Sequence, residues 1–176
     1  MISGKSGSIL LSARQSISIF GLWDQPRQIL EWQDITSRSL TWRALRDSLE
    51  LTPEQLRQVQ PCVEDWVNRA CITLHDLPDM TCFPVNPFVH LHADLAEVWC
   101  MRWSSDTLKQ LSVTFDQLRA KGMTVQVMQH FNFTLGQWMN LGLTQLHVKN
   151  MDEEGVRRVF DMPKSEVLEV IENYEF

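Results

Sequence analysis

Six side chains that could ligate a metal ion lie between residues 71 and 100, and thiolates and imidazoles are the ligands that zinc prefers. Their spacings, Cys-x3-His and His-x-His, differ from the CxxC and His-x3–5-His patterns of structural zinc sites. Cys71 also falls on the apolar face of a predicted helix, where a buried free thiol is common. We therefore predict no metal site and no cofactor. The zinc candidates to test are Cys71, His75, Cys82, His90 and His92.

Other catalytic patterns are equally weak in this sequence. No Cys or Ser lies in a local signature for nucleophilic attack, and the seven glycines form neither GxGxxG nor a P-loop. His130 and His147 fall inside predicted helices, where we expect surface or half-buried residues and not catalytic bases. The pairs at 64–65 and 153–154 place carboxylates in first helical turns, where they favour the helix dipole. The sequence predicts a protein that is not an enzyme.

Composition limits the classes of protein that remain. A hydrophobic content of 44% is typical of a globular chain, and seven Trp predict heavy packing on the chain itself or on a neighbour. The net charge of −6 argues against a protein that wraps nucleic acid. No apolar run approaches the roughly 18 residues of a membrane span, and no signal peptide is expected. The four cysteines contain no CxxC pair and favour an intracellular reducing compartment.

The elements that position these residues follow a ten-residue repeat. The units VTFDQLRAKG, MTVQVMQHFN, FTLGQWMNLG and LTQLHVKNMD, at 113–152, share an apolar position one, Thr at position two and an apolar position six. Position ten is Gly, Asn or Asp. ADLAEVWCMR and WSSDTLKQLS precede them in the same register, and LTPEQLRQVQ at 51–60 fits as well. The sequence therefore predicts an array of similar units over about 93–160.

Each position of the repeat has a physical meaning. Thr at position two is an N-cap, which predicts caps at Thr52, Thr114, Thr124, Thr134 and Thr144. Apolar positions one and six form a hydrophobic staple, and a Gln three residues after Thr completes a capping box in several units. Gly or Asn at position ten suits the left-handed residue that closes a helix. Helices of about two turns are not stable alone, so neighbouring units must bury one another.

The capped phrase LG-L-T-x-x-x-L resembles the short-helix tandem repeats found in many proteins of large double-stranded DNA viruses. The resemblance covers roughly 93–160 and 51–60. It implies a structural or interaction protein, with a minor virion or capsid-associated protein as one candidate, and it carries over no catalytic residue.

Outside the array, the predicted fold is all-α with an extended N-terminal arm. Residues 1–25 form the arm, in which SISIF alternates as a strand would, and 26–176 form the helical domain. Within that domain, 26–50 read as helical, with Thr41 heading a looser copy of the repeat. An amphipathic helix is predicted over 62–75, and the proline-rich 76–92 predict an irregular connector. The array should end in a capping helix at 163–174.

These features favour a non-enzymatic component that contacts other protein chains in a large assembly. Trp66 and Trp138 fall at periodic apolar positions and should be buried. Interface hot spots favour Trp, and the side chains that we expect at a partner interface are Trp23, Trp32, Trp42, Phe83 and Phe88.

The alternative is a nucleic-acid-associated helical factor. Residues 101–151 contain five basic and two acidic side chains, a local charge of +3, in short helices that resemble helix-turn-helix units. A single patch containing Arg102, Lys109, Arg119 and Lys121 would favour this alternative over the assembly role.

Overall fold

The computed structural model describes residues 7–12, 15, 19, 29–69, 72–80, 83 and 85–174. The fold is 62% helical and 4% strand, which confirms the all-α prediction. The chain divides into two compact units, Met1–Val85 and Asn86–Phe176. The division between the units lies within the proline-rich segment 76–92.

Twelve α-helices are described. They are α1 (Trp32–Ser37), α2 (Pro53–Val59), α3 (Val63–Arg69), α4 (Pro87–His90), α5 (Leu95–Cys100), α6 (Ser105–Gln110), α7 (Phe115–Ala120), α8 (Val125–Phe131), α9 (Leu135–Asn140), α10 (Gln145–Lys149), α11 (Glu153–Phe160) and α12 (Lys164–Glu172). The structure also gives a π-helical turn, Ala44–Ser48, and a 3-10 helix, Leu74–Asp79.

The first unit contains the small sheet. Strand β1 (Ser8–Leu10) pairs antiparallel with β2 (Ile29–Glu31), and both members of the central pair, Ile9 and Leu30, are buried. Within the predicted arm, Ser8–Leu10 are extended and pair with a strand of the same chain, whereas Gln15 and Ile19 are helical. The strand predicted at SISIF is therefore wrong at Ile19. The prediction of helix throughout 26–50 is wrong at β2, where Leu30 fills the core between two exposed neighbours in the two-residue period of a strand. Most of 1–25 lies outside the described residues.

Aromatic side chains form the core of the first unit. Trp42 and Trp66 are fully buried, with ring centroids 5.3 Å apart in a T-shaped contact. Phe83 packs edge-on against Trp42 at 5.8 Å. The Trp66 indole N–H donates to the Gln60 carbonyl oxygen at 2.7 Å, so its one polar atom is satisfied inside the core. Burial of Trp66 confirms the prediction. The prediction that Trp42 and Phe83 contact a partner is wrong, because these rings fill the core instead.

Two predictions near the end of the first unit need correction. The helix predicted over 62–75 is described only as α3, because Ile72 and Thr73 are not helical. Thr73 instead begins the 3-10 helix, and its backbone N–H donates to Asp76 Oδ2 at 2.9 Å. The connector predicted at 76–92 therefore contains regular structure, in the 3-10 helix and in α4.

The caps of the repeat occupy the predicted positions. Gln117 N–H donates to Thr114 Oγ1 at 3.3 Å, and Thr114 N–H donates back to Gln117 Oε1 at 3.1 Å. The same reciprocal box forms at Thr52 and Thr134, whereas Thr124 accepts only the single bond, from the N–H of its N3 residue. Thr144 is also an N-cap, with His147 in the place of Gln: Thr144 N–H donates to His147 Nδ1 at 3.0 Å. All five threonines thus occupy N-cap positions, and the side chains of four of them, all but Thr144, accept the capping hydrogen bond.

Position ten closes each helix in the left-handed conformation. Positive φ recurs every ten residues, at His92, Arg102, Ser112, Gly122, Asn132 and Gly142. After Ser112, Gly122 and Gly142 the next residue donates back to position six, as Leu143 N–H does to the Trp138 carbonyl oxygen at 3.0 Å, which is the Schellman bond. Asp152 is the exception. It has φ −74° and caps α11, because the ten-residue phase ends there.

Helices three repeats apart pack together in the second unit: α6 against α9, and α8 against α11. Contacts between side chains follow this spacing with an offset of 31 residues. Asn86 Nδ2 donates to Gln117 Oε1 at 2.9 Å, and Asp116 Oδ1 lies 3.0 Å from His147 Nε2. Three repeats thus complete one turn of a spiral. Position six faces its interior, where Val98, Leu108, Leu118, Met128, Trp138 and Val148 are at most 1% exposed.

Helix α12 ends this spiral at the C-terminal side. It packs against α10 and α11, and it buries Val167 and Ile171 against them. Its exposed side contains Glu166, Glu169 and Glu172. The capping helix predicted at 163–174 is therefore present as an amphipathic helix with a buried apolar side and an acidic outer side.

Candidate interaction surface

An exposed indole stands out in the second unit. Trp99 lies at position seven of its repeat, where the five following repeats contain Lys109, Arg119, Gln129, Met139 and Lys149. Four of these five are exposed polar side chains, and Met139 is buried. Trp99 is 44% exposed, so a large aromatic ring meets solvent at a position that is usually polar. Such a side chain adds nothing to solubility, and contact with another molecule would bury it.

An apolar groove of about 400 Å³ lies beside Trp99. Its walls are Leu95 and Ala96 of α5 and Val127 and His130 of α8. These helices are three repeats apart, and Ala96 and Val127 have the same 31-residue offset that joins Asp116 to His147. Where the two residues at this offset are polar, as at Asp116 and His147, a hydrogen bond connects successive turns of the spiral. Ala96 and Val127 are short and apolar, and the groove lies beside them.

A second cavity of about 610 Å³ adjoins the groove, and Trp99 and His130 line both. Arg102, Trp103 and Phe133 also line it. Arg102 is the only Lys, Arg, Asp or Glu among the described residues that line the two cavities. We call the two cavities together the Trp99 surface. It is rich in aromatic rings and contains one permanent positive charge.

The Trp99 ring is held in place by its neighbours. Its indole N–H donates to the His130 carbonyl oxygen at 3.3 Å, and the two rings meet edge to face with centroids 6.2 Å apart. Asp94 caps the start of α5, accepting from Glu97 N–H at 2.7 Å. A ring fixed in this way loses little conformational entropy when a partner binds, which favours Trp as an interface anchor.

The structure places the predicted interface residues in different settings. Trp32 is half-buried and packs against Trp66 with centroids 4.7 Å apart. Phe88, in the second unit, is 6% exposed, and the Lys121 ammonium lies 5.6 Å from its ring centroid. The prediction of Phe88 as an interface residue is therefore wrong, because the ring is used inside the unit. Trp23 lies outside the described residues.

Sequence reasoning missed Trp99, although a signal for it was present. Caps, staples and helix closure explain positions one, two, six and ten of the repeat, and the signal for Trp99 lies in a comparison of position seven across the array. That comparison shows one Trp among mostly polar residues. Trp138, in contrast, lies at position six and is fully buried, as predicted.

The zinc candidates that the structure describes do not form a metal site. Across the described residues, no three His, Cys, Asp or Glu side chains lie close enough to hold a metal ion. His90 Nδ1 accepts a hydrogen bond from Asn86 N–H at 2.8 Å, and His75 and His92 are exposed. Cys71 and Cys82 lie outside the described residues.

The four cations that bear on nucleic-acid binding occupy three different positions of the repeat. Lys109 and Arg119 share position seven, Arg102 lies at position ten, and Lys121 lies at position nine. Arg102 lines a cavity, and Lys121 lies over Phe88. The nucleic-acid alternative thus stays a prediction.

Comparison of the chain with protein-family models, with curated proteins and with solved structures finds no match. In the part of the chain that the structure describes, no helix has the length and apolar character needed to cross a bilayer.

Proposed function

We propose that this chain is a non-enzymatic component of a larger assembly and that it binds another protein through the Trp99 surface. The observation that carries the proposal is the fixed, 44% exposed indole of Trp99 between two cavities. Rigid aromatic rings at the centre of a contact supply most of the free energy of many protein interfaces. The spiral of capped helices supplies a stable support, because each repeat is buried by others.

The resemblance of the repeats to those of large double-stranded DNA viruses supports a virus particle as the assembly. The free thiols of Cys62 and Cys100 are in keeping with a reducing compartment.

Co-purification from cells that express the tagged chain tests the proposal. Trp99→Ala should abolish recovery of the partner, while Leu146→Ala should not, because Leu146 is 67% exposed and does not line the Trp99 surface. Equal recovery with both variants, in chains of unchanged circular dichroism, would show that the surface is not a contact.

The second candidate function is binding of single-stranded nucleic acid. The rings of Trp99, Trp103 and Phe133 beside Arg102 favour it, since bases stack on aromatic side chains. Binding of an oligothymidylate that weakens steeply with added salt and is lost in Trp99→Ala would support this alternative. No binding at low salt would remove it.

A further inference from the structure

We infer that the partner at the Trp99 surface is an acidic protein segment, which places one aliphatic or aromatic side chain in the apolar groove and a carboxylate on Arg102. This inference rests on the proposed function and adds the chemistry of the partner. Its two halves come from two separate features of the surface, the apolar walls and the single cation.

The groove selects the apolar half of the partner. Four of its five lining residues, Leu95, Ala96, Trp99 and Val127, present apolar side chains. Its volume of about 400 Å³ is in the range of pockets that bury a small ligand. A polar group placed against these four side chains would lose its water without gaining a hydrogen bond, whereas a Leu or Phe side chain would gain contact with the indole ring.

Arg102 selects the charged half. It directly follows the last turn of α5, and its backbone N–H donates to the Trp99 carbonyl oxygen at 3.0 Å. This bond and the left-handed φ of 51° fix Arg102 relative to Trp99. Because no carboxylate lines either cavity among the described residues, its guanidinium is the charge that an incoming group would meet. A guanidinium binds a carboxylate through two parallel hydrogen bonds, which favours Asp or Glu in the partner.

Asn132 provides further polar contact on the same surface. It is exposed, it lines the larger cavity, and its φ of 53° places it in the turn that closes α8. A side-chain amide can both donate to and accept from a peptide backbone. A protein segment could therefore satisfy its backbone groups at the rim while its apolar side chain enters the groove.

Two observations favour a protein segment over a nucleic acid. A single-stranded nucleic acid needs a positive groove that follows its backbone, whereas one cation lines this surface. The groove walls contributed by Leu95, Ala96 and Val127 are aliphatic and offer no ring for a base to stack on.

A peptide library displayed on phage and selected on the full chain tests the inference. The probe is a library of random 12-residue peptides, and the best binders are measured by fluorescence polarisation. We expect them to contain Asp or Glu within a few residues of Leu, Phe or Trp. Trp99→Ala should weaken their binding at least about thirtyfold, as expected of a hot spot. Arg102→Glu should weaken it at least about tenfold, because the charged hydrogen bonds are lost and a repelling carboxylate replaces the guanidinium.

Matched controls separate these effects from changes in net charge or fold. Lys109→Glu makes the same charge change as Arg102→Glu on an exposed side chain that does not line the surface, so it should change the affinity less than about twofold. Ala96→Gln fills the groove from an exposed position and should weaken binding even if Trp99→Ala alters the fold. Equal losses in Arg102→Glu and Lys109→Glu would overturn the role of Arg102.

The results also distinguish this inference from the proposed function. Selection of basic or uncharged peptides, while Trp99→Ala still abolishes partner recovery from cells, would overturn the acidic partner and leave the interaction surface standing. Unchanged recovery with Trp99→Ala would overturn both. Displacement of the selected peptides by a 20-nucleotide oligothymidylate at low salt would assign the surface to nucleic acid and also overturn the inference.

Discussion

Two glycines in one repeat should respond in opposite directions to the same substitution. Gly142 lies at position ten with φ +95°, whereas Gly136 lies in helix α9. A Cβ atom added at either residue meets nothing within 4 Å. Packing therefore contributes to neither Gly142→Ala nor Gly136→Ala, and the backbone conformation alone sets the sign of the effect.

The magnitudes follow from that difference. A left-handed alanine costs about 1–2 kcal/mol, offset in part by the lower entropy of the unfolded chain, so Gly142→Ala should reduce the free energy of unfolding by about 1 kcal/mol. Gly136→Ala should increase it by about 0.5–1 kcal/mol, because alanine favours the helix. Urea unfolding followed by circular dichroism measures both. With a slope of about 2 kcal/mol/M, the two midpoints should differ by about 0.8–1 M. Midpoints that shift in the same direction would refute a left-handed closure at position ten.

Three further predictions concern single side chains. Thr134→Ala should reduce the free energy of unfolding by about 1 kcal/mol, while Thr134→Ser should keep most of the cap, as thermal melts would show. Trp138→Ala should cost about 3–5 kcal/mol because the indole is fully buried among phenylalanines, and an unchanged urea midpoint would contradict this core. The Glu64 carboxylate, which accepts from the Cys62 thiol at 3.0 Å, raises the pKa of that thiol, so less thiolate forms at a given pH. Glu64→Gln should therefore speed alkylation at Cys62 and leave the rate at Cys100 unchanged, as measured by mass spectrometry of each thiol; equal rates at Cys62 with and without Glu64 would contradict the pKa shift.

The local structure of the array could be predicted from the sequence because its signals act over a few residues. A cap needs only Thr and the residue three positions later, as at Thr114 and Gln117, and helix closure needs one residue that tolerates positive φ. Ser112 and Arg102 show the limit of that rule. Neither is a glycine, and only the phase of the repeat identifies them as closing residues.

The spiral and the candidate site could not be predicted in the same way, because they depend on contacts between distant residues. A ten-residue period gives the apolar side of each helix but not the number of helices in a turn. The number of helices in a turn decides which side chains of successive turns are in contact, such as Asp116 and His147. The sequence predicts Trp42 and Phe83 at an interface because Trp42 lies outside the clear array and Phe83 lies in the proline-rich segment, yet the two rings pack against each other in the core. The exposure of Trp99 likewise depends on the side chains that the next turn of the spiral places beside it.

Distances between aromatic protons in solution test the central claim. It states that three repeats complete each turn of the spiral and leave Trp99 partly exposed beside His130. Nuclear Overhauser spectra of the labelled chain should show cross-peaks between the rings of Phe115 and His147, whose centroids are 4.9 Å apart. They should also show cross-peaks between the rings of Trp99 and His130, at 6.2 Å. Both pairs are separated by about thirty residues. Cross-peaks confined to neighbouring repeats, with neither of these pairs present, would contradict the spiral and remove the basis for the Trp99 surface.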